Sequence, residues 1–233
     1  MATRPRGGPQ RIPRPDGARP GGPPPWRDVA AVDTAIAAIE AALTAGARAD
    51  ATNLPRPEDP TRRRSAVLIP LYETEGETWI VFTRRASHMR SHSLEVSFPG
   101  GAVDPGDTDV WFTARREAHE EIGLDPSLPR RIGHLDPFTT VGSGSWVTPI
   151  VGALPGTPIL RASPDEVEHV LHVRLDDLMR PDVYREEIWP IAGMDRPVTF
   201  FELVGDTIWG ATAAMLRQLL TLVATGHHEA HRQ

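Results

Sequence analysis

The chain has 233 residues, 39% of them hydrophobic, and a formal net charge of −6. That length supports one sizeable domain with a packed core plus extensions. The absence of Cys excludes disulfides, thiolate nucleophiles and zinc–thiolate sites, no apolar run reaches the length of a membrane span, and the N-terminus lacks the apolar region of a signal peptide. A cytoplasmic location without membrane attachment is the expectation. All 25 basic residues are Arg, which with the high Ala, Pro and Gly content reads as the codon bias of a GC-rich genome. Residues 1–27 hold six Arg against one Asp, a net of +5, which leaves −11 for the rest. An acidic body argues against nonspecific nucleic-acid binding, while the basic arm reads as a solvated tail or as a contact for an acidic partner.

In chain order, residues 1–27 are low in complexity and rich in Pro and Arg, so an extended, disordered arm is expected. Residues 28–60 read as an amphipathic helix and a linker. Val29, Val32, Ile36, Ile39 and Leu43 are apolar at helical spacing, with an end near Gly46. The main domain is expected over 61–225, and 226–233 as a disordered tail. Ala66–Leu71 reads as a buried strand, Glu75-Gly76 as a turn, and Thr78–Thr83 as the hairpin partner. Val96–Phe98 is a short strand leading into Pro99-Gly100-Gly101. A helix spans about 109–122 and stops at Gly123 in the C-cap position. Further strands are expected at Arg131–Thr139, Trp146–Leu154, Val167–Leu175 and Val198–Leu203, with a short helix capped by Asp176 and a final helix over Ile208–Val223. Strands followed by a helix, more strands and a helix imply an α/β (α+β) fold, a mixed sheet with helices on its faces.

The most informative stretch is Arg116-Glu117-Ala118-His119-Glu120-Glu121-Ile122-Gly123-Leu124. Its Glu117, Glu120 and Glu121 stand at i, i+3 and i+4, on one face of a helix. Three like charges that close repel one another, and a hard divalent cation such as Mg²⁺, which takes oxygen ligands, fits between them. With a Gly-Gly bend just upstream, the pattern reads as a metal site acting on phosphates. Arg116 precedes Glu120 by four residues and reads as an orienter of carboxylates. His119 faces away from the acids.

These residues resemble the second half of the Nudix box, and Gly101 is the natural start of the first half. The distance from Gly101 to Arg116 is one residue longer than the common pattern, and Asp107 or Thr108 stands where that pattern has Glu. The extra residue is similar to the coenzyme A pyrophosphatase subgroup. So is the upstream run Thr83, Arg85, Ala86, Arg90, Phe98, Pro99, Gly100, Gly101, with His92 and Val96-Ser97 fitting too. Leu94 stands where the subgroup has Gly, a position that would take positive φ or a close backbone approach. The resemblance covers roughly residues 62–224 and implies a Nudix-type mixed sheet sandwiched between helices, with the arm and the first helix as additions.

By that resemblance Glu117, Glu120 and Glu121, with the Gly101 carbonyl, are the ligands of Mg²⁺ or Mn²⁺. Glu120 or Glu166 is the general base. Arg85, Arg90, His92 and Gly100 are the substrate contacts, and Arg116 and Gly123 are structural. Arg85 and Arg90 suit phosphates because guanidinium forks bind them bidentately, though surface ion pairs are the plainer alternative. The expected substrate is coenzyme A or its thioesters, split into 3′,5′-ADP and 4′-phosphopantetheine. The alternatives are ADP-ribose, a dinucleotide or a nucleoside triphosphate, or a non-catalytic nucleotide-binding module. The resemblance also admits a homodimer.

Overall fold

A computed structural model of the chain describes residues 6–45, 59, 61–89 and 92–225. In chain order its elements are β1 (Arg19–Pro20), α1 (Ile36–Ala45), β2 (Arg64–Thr74), β3 (Glu77–Arg85), β4 (Val96–Ser97), β5 (Gly100–Ala102), α2 (Val110–Ile122), β6 (Arg130–His134), β7 (Phe138–Thr139), β8 (Trp146–Ala153), β9 (Val167–Arg174), α3 (Leu175–Leu178), β10 (Tyr184–Ile191), β11 (Met194–Glu202), β12 (Thr207–Trp209) and α4 (Gly210–Thr225).

The main sheet is mixed and has eight strands. Its path is β4-β3-β2-β8-β6, with β5 on β2, β7 on β8 and β9 on β3. Strands β2 and β8 run parallel, and the other pairs are antiparallel. Side chains alternate across a strand, and β2 divides its residues accordingly. Ala66, Leu68 and Tyr72 pack in the cluster that includes Ala114, Ala118 and Ile122 of α2, whereas Ile69 and Leu71 pack with Ile39 of α1 and Leu216, Leu219 and Leu220 of α4. The sheet therefore lies between α2 on one side and α1 with α4 on the other. The β2–β3 turn is the expected one. Glu75 (φ 53°) and Gly76 (φ 78°) are both left-handed, which is the two-residue geometry that matches strand twist.

Of a second sheet, of order β1-β10-β11-β12, only β11 was expected, as the strand Val198–Leu203. Strands β10 and β11 form a hairpin closed by Ala192 (φ 51°) and Gly193 (φ 78°), the same left-handed pair without a Gly at its first position. The start of the expected final helix is instead strand β12, and Gly210 at φ 60°, the first residue of α4, makes the junction. The expected strand Arg131–Thr139 is two strands, β6 and β7. The short helix α3 has Arg174 at its N-cap with no side-chain cap, and Asp176 accepts a hydrogen bond from Thr34 instead.

Residues 6–27 correct the expectation of a disordered arm. They are extended, but they wrap the edge of the second sheet. Facing residues Arg185, Phe200 and Trp209 mark one face of that sheet, and Tyr184, Phe201 and Ile208 the other. On the first face Arg14 bonds Glu187 at 2.8 Å, and Gly8 and Gln10 bond Thr207. The chain then pairs with the edge of β10 as β1. On the second face Trp26 is buried against Tyr184 and Phe201, its indole N–H donating to the Met179 carbonyl at 2.9 Å. A Pro/Gly-rich segment cannot build its own core, but its arginines find acids here: Arg6 with Asp182, Arg14 with Glu187, Arg19 with Asp195. The first helix also differs, beginning at Ile36 rather than near Val29, where the Glu73 carboxylate accepts the Ile36 N–H at 2.8 Å. The expected end near Gly46, most of the linker and the 226–233 tail lie outside the described residues.

Candidate active site

Helix α2 carries the acids. Its start is fixed by the Asp109 carboxylate, which accepts the Phe112 N–H at 2.7 Å. Its end is fixed by Gly123, left-handed at φ 65°, whose N–H bonds the carbonyls of Ala118 and His119. Between these caps Ala114, Ala118, Glu121 and Ile122 lie on the buried stripe. The three acids are therefore in different surroundings. Glu121 is 3% exposed, Glu117 is half-buried, and Glu120 is open to solvent. His119 is exposed, as expected.

The Gly-Gly bend meets this face. In β5, Gly100 pairs with Val67 and Gly101 with Ala66. The Gly100 N–H donates to Glu121 Oε2 at 3.3 Å. The Glu117 carboxylate lies over the Gly101 Cα, where a side chain would sit closer than any ordinary Cβ contact. Glycine is required at 101 for that close approach.

Arg116 is clamped beneath the acids. Its Nε and one terminal nitrogen bond both oxygens of Asp107 at 3.0 Å each, and the same nitrogen bonds the Ala102 carbonyl at 3.0 Å. Its other terminal nitrogen reaches Glu117 at 3.0 Å and Glu120 at 3.1 Å. Of the two residues that could stand in for the upstream Glu, Asp107 takes the position. It also accepts from Thr113 Oγ1 and the Asp104 N–H. The Arg116 guanidinium holds the Asp107 carboxyl well below the usual carboxylate range, and Asp107 in turn raises Arg116.

Burial pushes the Glu121 carboxyl up to about 8; Arg85 opposes that rise, while Glu166 and Glu117 add to it. Glu117 is also raised, first by burial, with Arg116 opposing and Glu120 and Glu166 adding. Glu166 thus sits within electrostatic reach of both acids. Backbone bonds bring it there. Arg161 N–H and Ser163 N–H donate to the Ile122 and Glu121 carbonyls, both at 2.8 Å, capping the open end of α2, and Ala86 N–H donates to the Glu166 carbonyl at 2.9 Å. Sequence reading missed Arg161 and Ser163, and no residue signal could reveal them, because any non-proline residue supplies a backbone N–H.

Arg85 faces Glu121 from β3, and its Nε is buried without a hydrogen-bond partner. Its backbone is held by the following loop: Arg85 N–H to Glu95 O at 2.9 Å, Leu94 N–H to Arg85 O at 3.2 Å. Leu94 occupies the left-handed region at φ 62°, so the turn a glycine would make is made by leucine. His92, also left-handed at φ 57°, is exposed and bonds Glu95 at 2.9 Å. Arg90 lies outside the described residues.

Glu117, Glu121, Glu166, Gly100, Gly101 and Arg85 are thus gathered at one place, with Glu120 turned toward Arg116 and His92 at the surface. Among the described residues no three His, Asp or Glu side chains already stand together as a ligand cage. The donors on offer are nevertheless all oxygen, and Glu121 is a carboxylate forced into burial, a setting that a hard divalent cation relieves.

A NUDIX domain profile matches residues 62–191, more than half of the chain, and the protein belongs to the Nudix family of hydrolases. Relatives named "Uncharacterized Nudix hydrolase NudL" agree with this. That of Enterobacter sp. (strain 638) is 40% identical over 158 residues, covering 68% of this chain and 81% of the relative. That of Yersinia pestis (strain Pestoides F) is 35% identical over 164 residues, covering 70% and 81%. A solved C. elegans Ap4A hydrolase binary complex aligns with 51% of this chain and 85% of its own, at 20% identity and a TM-score of 0.42. Membership of the Nudix hydrolase family, shown by the profile and the NudL relatives, makes the protein an enzyme of the pyrophosphohydrolase class. Nudix hydrolases generally use divalent cations such as Mg²⁺ or Mn²⁺ and act on small nucleotide derivatives. No helix among the described residues is long and apolar enough to cross a membrane.

Proposed function

We propose that the protein hydrolyses the pyrophosphate bond of coenzyme A or acyl-coenzyme A, giving 3′,5′-ADP and 4′-phosphopantetheine or its acyl form. The observation that carries this reading is Arg85. It belongs to the run Thr83, Arg85, Ala86, Arg90, and its guanidinium lies within electrostatic reach of the buried acid Glu121 with Nε buried and unpaired, a type of group that binds phosphate oxygens.

Glu117, Glu120 and Glu121, with the Gly101 carbonyl, would hold Mg²⁺ or Mn²⁺. A divalent cation held there would supply charge that offsets the diphosphate and would lower the pKa of water. The chain's own residues do the rest. Arg116, fixed by Asp107, orients Glu117 and Glu120. Glu166 takes the proton of the attacking water, a role favoured over Glu120 because Glu120 is already engaged by Arg116 in the open. Arg85 and Arg90 neutralise phosphate oxygens, and the leaving phosphate departs as one half of the substrate. Leu94 keeps the left-handed turn expected of glycine, so the backbone path around Arg85 is retained.

The test is a product assay with purified protein and Mn²⁺ over coenzyme A, acyl-coenzyme A, ADP-ribose and NADH. Release of 3′,5′-ADP with the highest kcat/KM on a coenzyme A substrate is expected. A higher kcat/KM on ADP-ribose or a dinucleotide would replace the coenzyme A assignment with one of those.

A further inference from the structure

Strand β9 begins beside the site and leads away from it. Its first residue, Val167, pairs with Arg85 and follows Glu166 directly. Among the described residues β9 pairs only with β3, so its other edge is open. Along that edge, at residues 169–173, lies an open cavity of about 610 Å³ lined beyond the strand by Val183, Leu203 and Val204 together with the charged residues Arg6, Asp177, Arg180 and Asp206. His169 stands two residues past Val167, roughly 7 Å along the strand, and residues 169–173 span roughly 13 Å more.

We propose that this open edge and cavity receive the pantetheine arm of the substrate, an inference that rests on the coenzyme A reading. An edge strand presents alternating free N–H and C=O groups, which pair with any extended chain that carries amides. The pantetheine arm is such a chain, with two secondary amides between its phosphate and its sulfur. With the diphosphate at Arg85 and Glu121, the arm has the length to follow β9 in the manner of an added strand. Passing round the β9 edge to the face of the sheet opposite α2, the thiol or acyl end then reaches Leu171 and Leu203. Coenzyme A would thus be told from ADP-ribose by backbone pairing along β9, and acyl chains by the volume of the cavity.

Val204 lines the cavity yet is 54% exposed, so it can be enlarged without disturbing the core. V204R and V204W are compared with the wild type and with V141R, on an exposed loop that does not line the cavity. Melting curves establish that each variant is folded. Expected in at least one folded Val204 variant is a tenfold or greater rise in KM for coenzyme A, with a matching rise in the inhibition constant of 4′-phosphopantetheine. The inhibition constant of 3′,5′-ADP should stay within twofold. Wild-type turnover of coenzyme A with unchanged constants in both variants overturns the cavity assignment alone, as does equal weakening of both products. Absence of wild-type turnover on coenzyme A overturns both this assignment and the reading beneath it.

Discussion

The Glu117 carboxylate occupies the space that a side chain on Gly101 would fill. The two are coupled: the acid can lie over the bend only because residue 101 has no Cβ. G101A should therefore displace a flexible side chain, at little cost in stability, while lowering kcat/KM by roughly 100-fold through a misplaced ligand. G100A should behave oppositely. Its Cβ would stand 2.6 Å from the Val67 Cα, a backbone contact that cannot yield, so the variant should melt well below wild type. Paired melting curves and turnover measurements separate the two; equal effects from both substitutions would refute the distinction.

The sign of pH dependence follows from Glu121. Its folded carboxyl lies near 8, above the ordinary 4.5, so it favours folding fully below about pH 4.5 and loses that contribution as pH rises toward about pH 8. In EDTA the protein should lose thermal stability across that window, and E121Q should lose less. Cation binding needs the deprotonated acid, so the gain in Tm on adding Mn²⁺ should grow from about pH 6 to about pH 9. A gain independent of pH would count against Glu121 as a ligand.

Asp107 works in the other direction. Its folded carboxyl is depressed below the ordinary 3.8, so its stabilising contribution is present above that pH and is lost only in stronger acid. D107N should release the Arg116 clamp and weaken Mn²⁺ activation by about 10–100-fold, the usual cost of removing a group that orients a ligand. A Mn²⁺ titration of activity reads this directly, and an unchanged midpoint would show that Arg116 holds its position alone.

Leu94 sits in a left-handed conformation that costs an ordinary residue about 1–2 kcal/mol. L94G removes that strain but also removes a half-buried side chain and loosens the unfolded chain by roughly 0.5–1 kcal/mol. The terms oppose, so the variant should lie within about 1 kcal/mol of wild type in denaturant titration, unlike the 2–5 kcal/mol typical of a buried Leu truncation.

Trp26 is the anchor of the N-terminal segment, 4% exposed and stacked on Phe201. W26A should cost about 3–5 kcal/mol, a loss large enough to shift the melting curve by several degrees. A melting curve unchanged by W26A would restore the view of residues 6–27 as an unattached arm.

The nearness of Glu117 and Glu121 to the Gly-Gly bend was legible because these parts are near one another in sequence. The hairpin from β2 to β3, the bend and α2 follow in order, and helical geometry puts residues i and i+4 on one face, whereas Glu120 turns to Arg116 and Glu166 arrives from a distant segment. Beyond β11 the second sheet was not legible, because its contacts join distant segments: Gly7 meets Val204 and Arg19 meets Ile188. Strand β10 hid its pattern as well. Arg185, Glu186 and Glu187 read as solvated charge, yet they are engaged by Glu202, Tyr184 and Arg14. Composition led to a disordered arm because it counts apolar residues, and one well-placed Trp outweighs that count. Leu94 stands where a Gly would take positive φ, and the backbone bonds to Arg85 on either side of the loop hold the leucine in that conformation.

The strap around β10 also orders events during synthesis. Residues 6–27 leave the ribosome long before residues 184–209, which they must clasp, so this part of the fold stays unfinished until nearly all of the described chain has emerged. Non-local closures of that kind slow folding and leave strand edges bare in the interim. The Pro content that made the segment look unstructured bears on that interval, because a Pro has no backbone N–H to offer a bare strand edge.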